Sequence, residues 1–408
     1  MHIVFATVEF VTEKMWDGGL SNYLAKASSI FASYGHKVTV VVFSERNSTI
    51  QYKENVTVIR VEKDNSRIDS FLCLVKDIEL KDTLEYLWYG WQLNQRIKQL
   101  DKKDKIDIVQ YCHLKALGLF RIKKIPSVVR MSSFNPIKRE AYRSDFDLRN
   151  CRATVNFADK LDFLALERAD GVFAPAVATA RAIKKVTNKA VEVLETPAMG
   201  VDATQLPCLA DNLLGKKYFL FFGMLSNIKG LKVIVQSVYQ ILKENPQYYF
   251  VFVGKDCGVS MQKSMRTPVI KKIKEEASEY ADRVIYFAPI SDKRSLSSII
   301  YHAQICILPF RYENLPNTCI EAMELGAIII STYKSGISQL IRDGYNGFLV
   351  EQNNPPALVD KIREVLALSE KEKAKISENA IKRIQKMDSE NFYRYMMDYY
   401  QGIIERRK

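Results

Sequence analysis

ICILPFRYENLPNTCIEAMELG, residues 305–326, starts with an apolar run that ends in a polar turn. The run is continuous rather than alternating, as in a strand of a parallel sheet that is buried on both faces. The turn NLPN follows, and a helix is expected from Pro316 or Asn317. Proline is tolerated there because the first helical amides have no partner within the helix. The free amides of Asn317, Thr318 and Cys319, with the positive end of the helix dipole behind them, form a ready anion site. Two acids flank this entry: Glu313 in the loop and Glu321 one turn inside the helix. On spacing alone two readings stand. Both acids reach one ligand, or Glu321 only favours a helix N-terminus and Glu313 is a solvated loop acid.

Outward from this stretch the chain alternates strand and helix. Residues 2–6 read as a strand, GGLSNYLAKASSIFASYG as a helix with an apolar stripe, and HKVTVVVF as a buried strand. VTVIRV, IDIVQY, SVVRM and GVFAP continue the series. It restarts near Tyr218 with YFLFF, YYFVFV, VIYF, ICILPF, AIIIS and GFLV. The expected fold class is α/β, with two Rossmann-like, doubly wound domains facing a central cleft. Residues 1–205 form the first domain, 206–385 the second and 386–408 a final helix. In such sheets ligands bind at the carboxyl ends of the strands, which is where the loop after ICILPF lies.

A chain of 408 residues suits two domains, and 47% hydrophobic with 26% charged residues is an ordinary globular composition. No apolar run approaches the ~18 residues of a membrane span. The N-terminus MHIVFATVEF reads as a first strand, without a basic leader. The seven cysteines form no Cys-x-x-Cys pair and the four histidines are scattered, so no metal site is expected. The net charge of +13 is diffuse, with no basic block and no aromatic–basic repeat. Nucleic acid is therefore not an expected partner. Asp145 and Asp147 in SDFDL make an Asp-x-Asp, read as a solvated loop rather than a manganese site.

YENLPNTCIEAMELG resembles the Glu-x7-Glu motif of retaining GT-B glycosyltransferases, family 4, also called group 1. FFGMLSNIKGLKVIVQS resembles that family's strand, Gly-x-Leu loop and Lys-Gly turn. ISQLIRDGYNGFLVEQNNPPALVDKI resembles the stretch after its motif, DGGLSNYLAKASSIFASYGHKVTVVV its first βαβ unit, and LERADGVFAPAVATARAI the end of its N-terminal domain. The resemblance is strongest over 217–365 and weakest over about 45–105.

The resemblance implies a role for each matching position. Glu313 contacts the donor sugar near the reacting carbon, and Glu321 holds the nucleotide ribose. Lys229 neutralises the donor diphosphate as it leaves. Gly18 and Gly19 match the glycine loop that brings backbone amides to the phosphates; without the family match they read as a strand-to-helix turn. His113 falls where the family often carries a cleft-facing histidine. The implied chemistry is metal-independent, retaining transfer of a hexose or N-acetylhexosamine from a nucleotide sugar, a UDP-sugar ahead of a GDP-sugar, with no other cofactor. The resemblance also implies that residues 1–205 are the acceptor side and 206–385 the donor side, that the helix 386–408 crosses back to the first domain, and that the two domains close on the donor. Surface polysaccharide synthesis in bacteria is the implied setting, and a glycan or lipid-linked glycan the implied acceptor.

One position departs from the family. Met224 stands where an arginine usually shares the diphosphate with the lysine, so a charge-assisted contact is missing. Lys255 and Arg311, each directly after a strand, are the candidate substitutes. The departure keeps two rival functions open: nucleotide-sugar epimerisation on the same fold, and an inactive module that binds a glycan or a partner enzyme.

In LEYLWYGWQLNQRIKQLDKKDK, residues 84–105, helical spacing places Leu84, Leu87, Trp88 and Trp91 on one face, continued by Lys98, Lys102 and Lys105. Leu93, Ile97 and Leu100 fall opposite. One reading has the first face outward against an anionic membrane, which would put a lipid-linked acceptor within reach. The other has both apolar faces buried. The expected location is the cytoplasm, at the inner face of the plasma membrane under the first reading.

Overall fold

The computed structural model describes residues 1–13, 18–64, 66–143, 151–198, 200–258, 267–334 and 336–407. Asp145 and Asp147 lie outside them. The chain divides into two compact units. Unit 1 comprises Met1–Pro136, Thr154–Pro197 and Ser389–Lys408; unit 2 comprises Ile137–Ala153 and Ala198–Asp388. The first crossing thus falls at 197/198 rather than 205, and the return at 388/389 rather than 385. Ile137–Ala153, expected in the first domain, packs with the second.

Unit 1 holds β1 (His2–Thr7), β2 (Lys37–Ser44), β3 (Ser48–Lys53), β4 (Val56–Glu62), β5 (Ile108–Cys112), β6 (Ser127–Arg130), β7 (Gly171–Ala174) and β8 (Val191–Val193). Their order across the sheet is β3-β4-β2-β1-β5-β6-β7-β8. Every pair is parallel except β3 with β4. β1 and β5 are buried along their whole lengths, as the apolar runs predict. β3 was not expected. Its residues STIQYK alternate between half-buried and exposed at the sheet edge, so they lack the apolar run of a central strand.

Unit 2 holds β9 (Lys217–Phe222), β10 (Tyr248–Val253), β11 (Val284–Phe287), β12 (Ile305–Leu308), β13 (Ile329–Thr332) and β14 (Phe348–Val350). They are ordered β11-β10-β9-β12-β13-β14 and all parallel. The loops at their carboxyl ends approach one another through glycine. Gly254 has φ +140°, and a Cβ there would lie 1.9 Å from the Gly223 carbonyl oxygen. No L-residue with a side chain fits that contact.

The helix Ile78–Lys103 settles part of the reading of residues 84–105. Leu93 and Ile97 are fully buried, whereas Trp91 is exposed and stacks on Trp88 with ring centres 5.0 Å apart. Lys98 and Lys102 are exposed, while Lys105 lies beyond the helix end. The most exposed apolar side chains nearby, Phe71, Leu74 and Ile78, precede that stretch. Among the described residues no helix is long and apolar enough to cross a membrane.

Candidate functional site

In each unit one pair of neighbouring strands is the place where the winding direction reverses. In unit 2 this is β9 and β12, because β9 pairs with β10 on its other side and β12 with β13. The loops leaving such a pair diverge, and the crevice between them is where doubly wound sheets bind ligands.

The loop after β9 runs from Gly223 through a short 3-10 turn, Asn227–Lys229, to Gly230 at φ +80°. A Cβ on Gly230 would fall 1.7 Å from the Pro309 carbonyl oxygen. Glycine therefore lets the β9 loop lie directly on the loop after β12, where the Arg311 N–H donates to the Ile228 carbonyl at 3.0 Å. The contact sets Lys229 against Glu313: Lys229 Nζ is ion-paired to Glu313 Oε1 and lies 5.2 Å from the centre of the Phe310 ring. Both partners are only partly buried, with side-chain exposures of 24% and 17%. The pair is accessible to an incoming anion, and its own contribution to stability is small.

Beside this pair the helix Asn317–Glu324 has Pro316 as its N-cap, whose side chain offers no capping hydrogen bond. Its first intrahelical bond runs from the Ile320 N–H to the Pro316 carbonyl at 3.2 Å. Asn317 and Thr318 are half-buried, and Thr318 Oγ1 is a buried hydroxyl without a hydrogen-bond partner among the described residues. A Cβ on Gly223 would lie 3.4 Å from Thr318 Cγ2, so the helix entry abuts the β9 loop. Glu321 is half-buried one turn further along, about 6 Å up the axis from Asn317. Buried Cys319, next in line, has its thiol pushed well up, first by burial and then by the negative charge of Glu313. Ser226 was not singled out in the sequence. Its Oγ is a second buried hydroxyl without a partner among the described residues, in the loop that leads to Lys229. A serine in a polar turn carries no signal that it will be buried.

Met224 is half-buried in the same loop. Lys255 is exposed, and its carbonyl accepts the Leu225 N–H at 2.8 Å, which places it beside the methionine. Arg311 requires a correction. It is 1% exposed, and its Nη1 donates to the carbonyls of Ala141 at 3.2 Å and Arg143 at 2.5 Å. It ties the Ile137–Arg143 segment to unit 2, where Ala141 packs with Ile228 and Tyr312. A guanidinium so engaged does not stand in for the missing arginine.

In unit 1 the corresponding reversal lies between β1 and β5. Gly18, at φ +105°, precedes the helix Gly19–Ser33, and a Cβ on it would meet nothing within 4 Å among the described residues. The conformation favours glycine. His113 directly follows β5 and is buried. The Ser132 N–H donates to its Nδ1 at 3.2 Å, which leaves the proton of the neutral ring on Nε2, 3.1 Å from Ser133 Oγ. The structure thus brings together Lys229, Glu313, Asn317, Thr318 and Glu321 in unit 2, with Lys255 beside Met224. Gly18, Gly19 and His113 are placed at the reversal point of unit 1.

Residues 211–383 match the family model described as glycosyl transferases group 1. Spore coat protein SA of Bacillus subtilis (strain 168) is 26% identical over 39% of this chain and 42% of its own length. The chain spans about two fifths of the curated relatives it matches. Among solved structures, sucrose-phosphate synthase from Thermosynechococcus elongatus superposes with a TM-score of 0.75 at 18% identity, over 98% of this chain and 99% of that one. Anabaena Alr3699/HepE, solved in complexes with UDP and with UDP-glucose, superposes with TM-scores of 0.68 and 0.69. These two complexes are 14% and 15% identical to this chain and cover 98% of it and 100% of the solved chain. Likeness at such identity establishes the fold. Over its second unit the chain is similar to the group 1 glycosyltransferases, and its fold is GT-B.

Proposed function

We propose that this chain transfers a hexose or N-acetylhexosamine from a nucleotide sugar to a hydroxyl of a glycan or lipid-linked glycan, with retention, in the building of a bacterial surface polysaccharide. The observation that carries the reading is the accessible Lys229–Glu313 pair beside the helix entry at Pro316. Together they offer a cation, free amides and an acid within one small crevice. The fold neighbour bound to UDP and UDP-glucose supports a UDP-sugar as the donor.

In this mechanism Lys229 and the amides of Asn317 and Thr318 hold the diphosphate and stabilise the charge it gains as it departs. The bond between the anomeric carbon and the phosphate oxygen breaks while the acceptor hydroxyl forms its bond on the same face. The hydroxyl proton passes to the departing phosphate oxygen. Glu313 orients the sugar, and Glu321 takes the ribose hydroxyls. Because fixed cationic and dipolar groups supply the stabilisation, the step needs no metal. Gly18, Gly19 and His113 stand at the reversal point of unit 1.

Two measurements test this. UDP at 100 times its dissociation constant should raise apparent stability by about 2.7 kcal/mol, read as an upward melting shift. UDP release from UDP-glucose should rise on addition of an acceptor glycan. Interconversion of free UDP-sugars without release would instead identify an epimerase. A second reading, a module that binds without turnover, is favoured by Met224 in place of an arginine. UDP binding without release under any acceptor would establish it.

A further inference from the structure

The chain leaving β5 passes through two consecutive residues in the left-handed region, Lys115 (φ 61°, ψ 29°) and Ala116 (φ 50°, ψ 29°). Neither is glycine. In that region Cβ crowds the carbonyl, so such residues persist only where their surroundings impose them, and they concentrate at working sites. Here the surroundings are one carboxylate. The Ala116 N–H donates to Asp162 Oδ1 at 2.7 Å, and both residues are buried, at 4% and 8% exposure.

The other oxygen of Asp162 reaches back towards β5. Asn135 Nδ2 donates to Asp162 Oδ2 at 3.4 Å, and Ser133 Oγ donates to Asn135 Oδ1 at 3.1 Å. Ser133 Oγ in turn accepts from His113 Nε2 at 3.1 Å. One acid in the middle of the helix Phe157–Arg168 therefore holds the strained turn with one oxygen. With the other it holds a row of polar groups that ends on the His113 ring. A carboxylate is costly to bury unless its partners compensate, and the partners named here come from the chain leaving β5 and the chain leaving β6.

We propose that Asp162 is a positioning residue for the transfer reaction: it fixes the Lys115–Ala116 turn and, through Asn135 and Ser133, the orientation of the His113 ring. The proposal rests on the function proposed above. Its test separates the two by using a signal from the ring itself.

The protein is labelled with 15N-histidine, and the His113 resonances are identified by their loss in His113→Gln. In the unaltered chain they show the Nε2–H tautomer. In Asp162→Ala they move, kcat for UDP release from UDP-glucose falls tenfold or more, and the dissociation constant of UDP stays within twofold. Adding Ala116→Gly restores part of kcat, at least threefold, because glycine takes the left-handed conformation without strain. Unmoved His113 signals, or moved signals with unchanged kcat, overturn the proposal. So does a lower melting temperature that Ala116→Gly corrects without recovery of kcat. If Asp162→Ala does not fold, Asp162→Asn carries the same readouts, since it keeps the acceptor for Ala116 and loses only the one for Asn135. If the unaltered protein releases no UDP, the proposed function fails. The positioning role for transfer falls with it, and the ring signals then decide only whether Asp162 orients the His113 ring: movement in Asp162→Ala shows that it does, and no movement that it does not.

Discussion

Glu313→Gln is expected to lower acceptor-dependent UDP release by about 10²–10³-fold, the loss usual when one preorganised electrostatic contact to the reacting group is removed. UDP affinity should change by less than about fivefold, because the pair it breaks is partly solvated and weak. Any change should favour binding, since Lys229 is then no longer shared with a carboxylate. Initial rates with saturating donor, set beside calorimetric titration of UDP, give both numbers. Normal turnover in this variant would reduce Glu313 to a loop acid. Glu321→Ala should behave in the opposite way. It weakens UDP itself by roughly 1–3 kcal/mol, as expected when a buried hydrogen-bonding partner is lost.

Lys229→Ala should weaken UDP binding by roughly 1.5–3 kcal/mol, the range for a hydrogen bond to a charged group, which is about 10- to 150-fold. The effect is large here because Met224 supplies no second cation and the variant leaves the Glu313 carboxylate facing the diphosphate without Lys229 between them. Adding Glu313→Gln should recover part of the loss, and the double-mutant cycle measures how much of it was repulsion. Met224→Arg provides the converse measurement. It should tighten UDP about tenfold if the position is electrostatically empty, and leave it unchanged if Lys255 already serves. Unchanged UDP affinity in Lys229→Ala would move the anion away from this crevice, with Lys255 the next position to vary.

The six strands of unit 2 were legible in the sequence because each is an uninterrupted apolar run closed by a turn. The helix entry after β12 was legible for a similar reason: a proline in front of an apolar-periodic segment has few other uses. β3 was not legible, since an edge strand with a polar face resembles a loop. Neither was the inward course of Arg311. An arginine directly after a strand gives the same signal whether it faces solvent or the carbonyls of a segment 170 residues earlier in the chain, and only the fold brings Ala141 to it. Ile137–Ala153 was misplaced for the same reason. The roles of Glu313 and Lys229 come from a family pattern. That they are ion-paired follows from Gly230, whose missing Cβ lets two distant loops touch.

The return of the chain to unit 1 fixes an order of assembly during synthesis. The helix Ser389–Glu405 contributes buried Phe392, Met396, Tyr400 and Ile403 to unit 1, and Tyr399 packs so closely on Gly171 that a Cβ there would lie 2.4 Å from its hydroxyl. Unit 2, by contrast, needs nothing beyond Asp388. As the nascent chain leaves the ribosome, the half that begins first is therefore the half that finishes last, the reverse of the usual N-terminal-first order. Until those final residues emerge, the apolar face that awaits them on unit 1 stays open to solvent and to other chains.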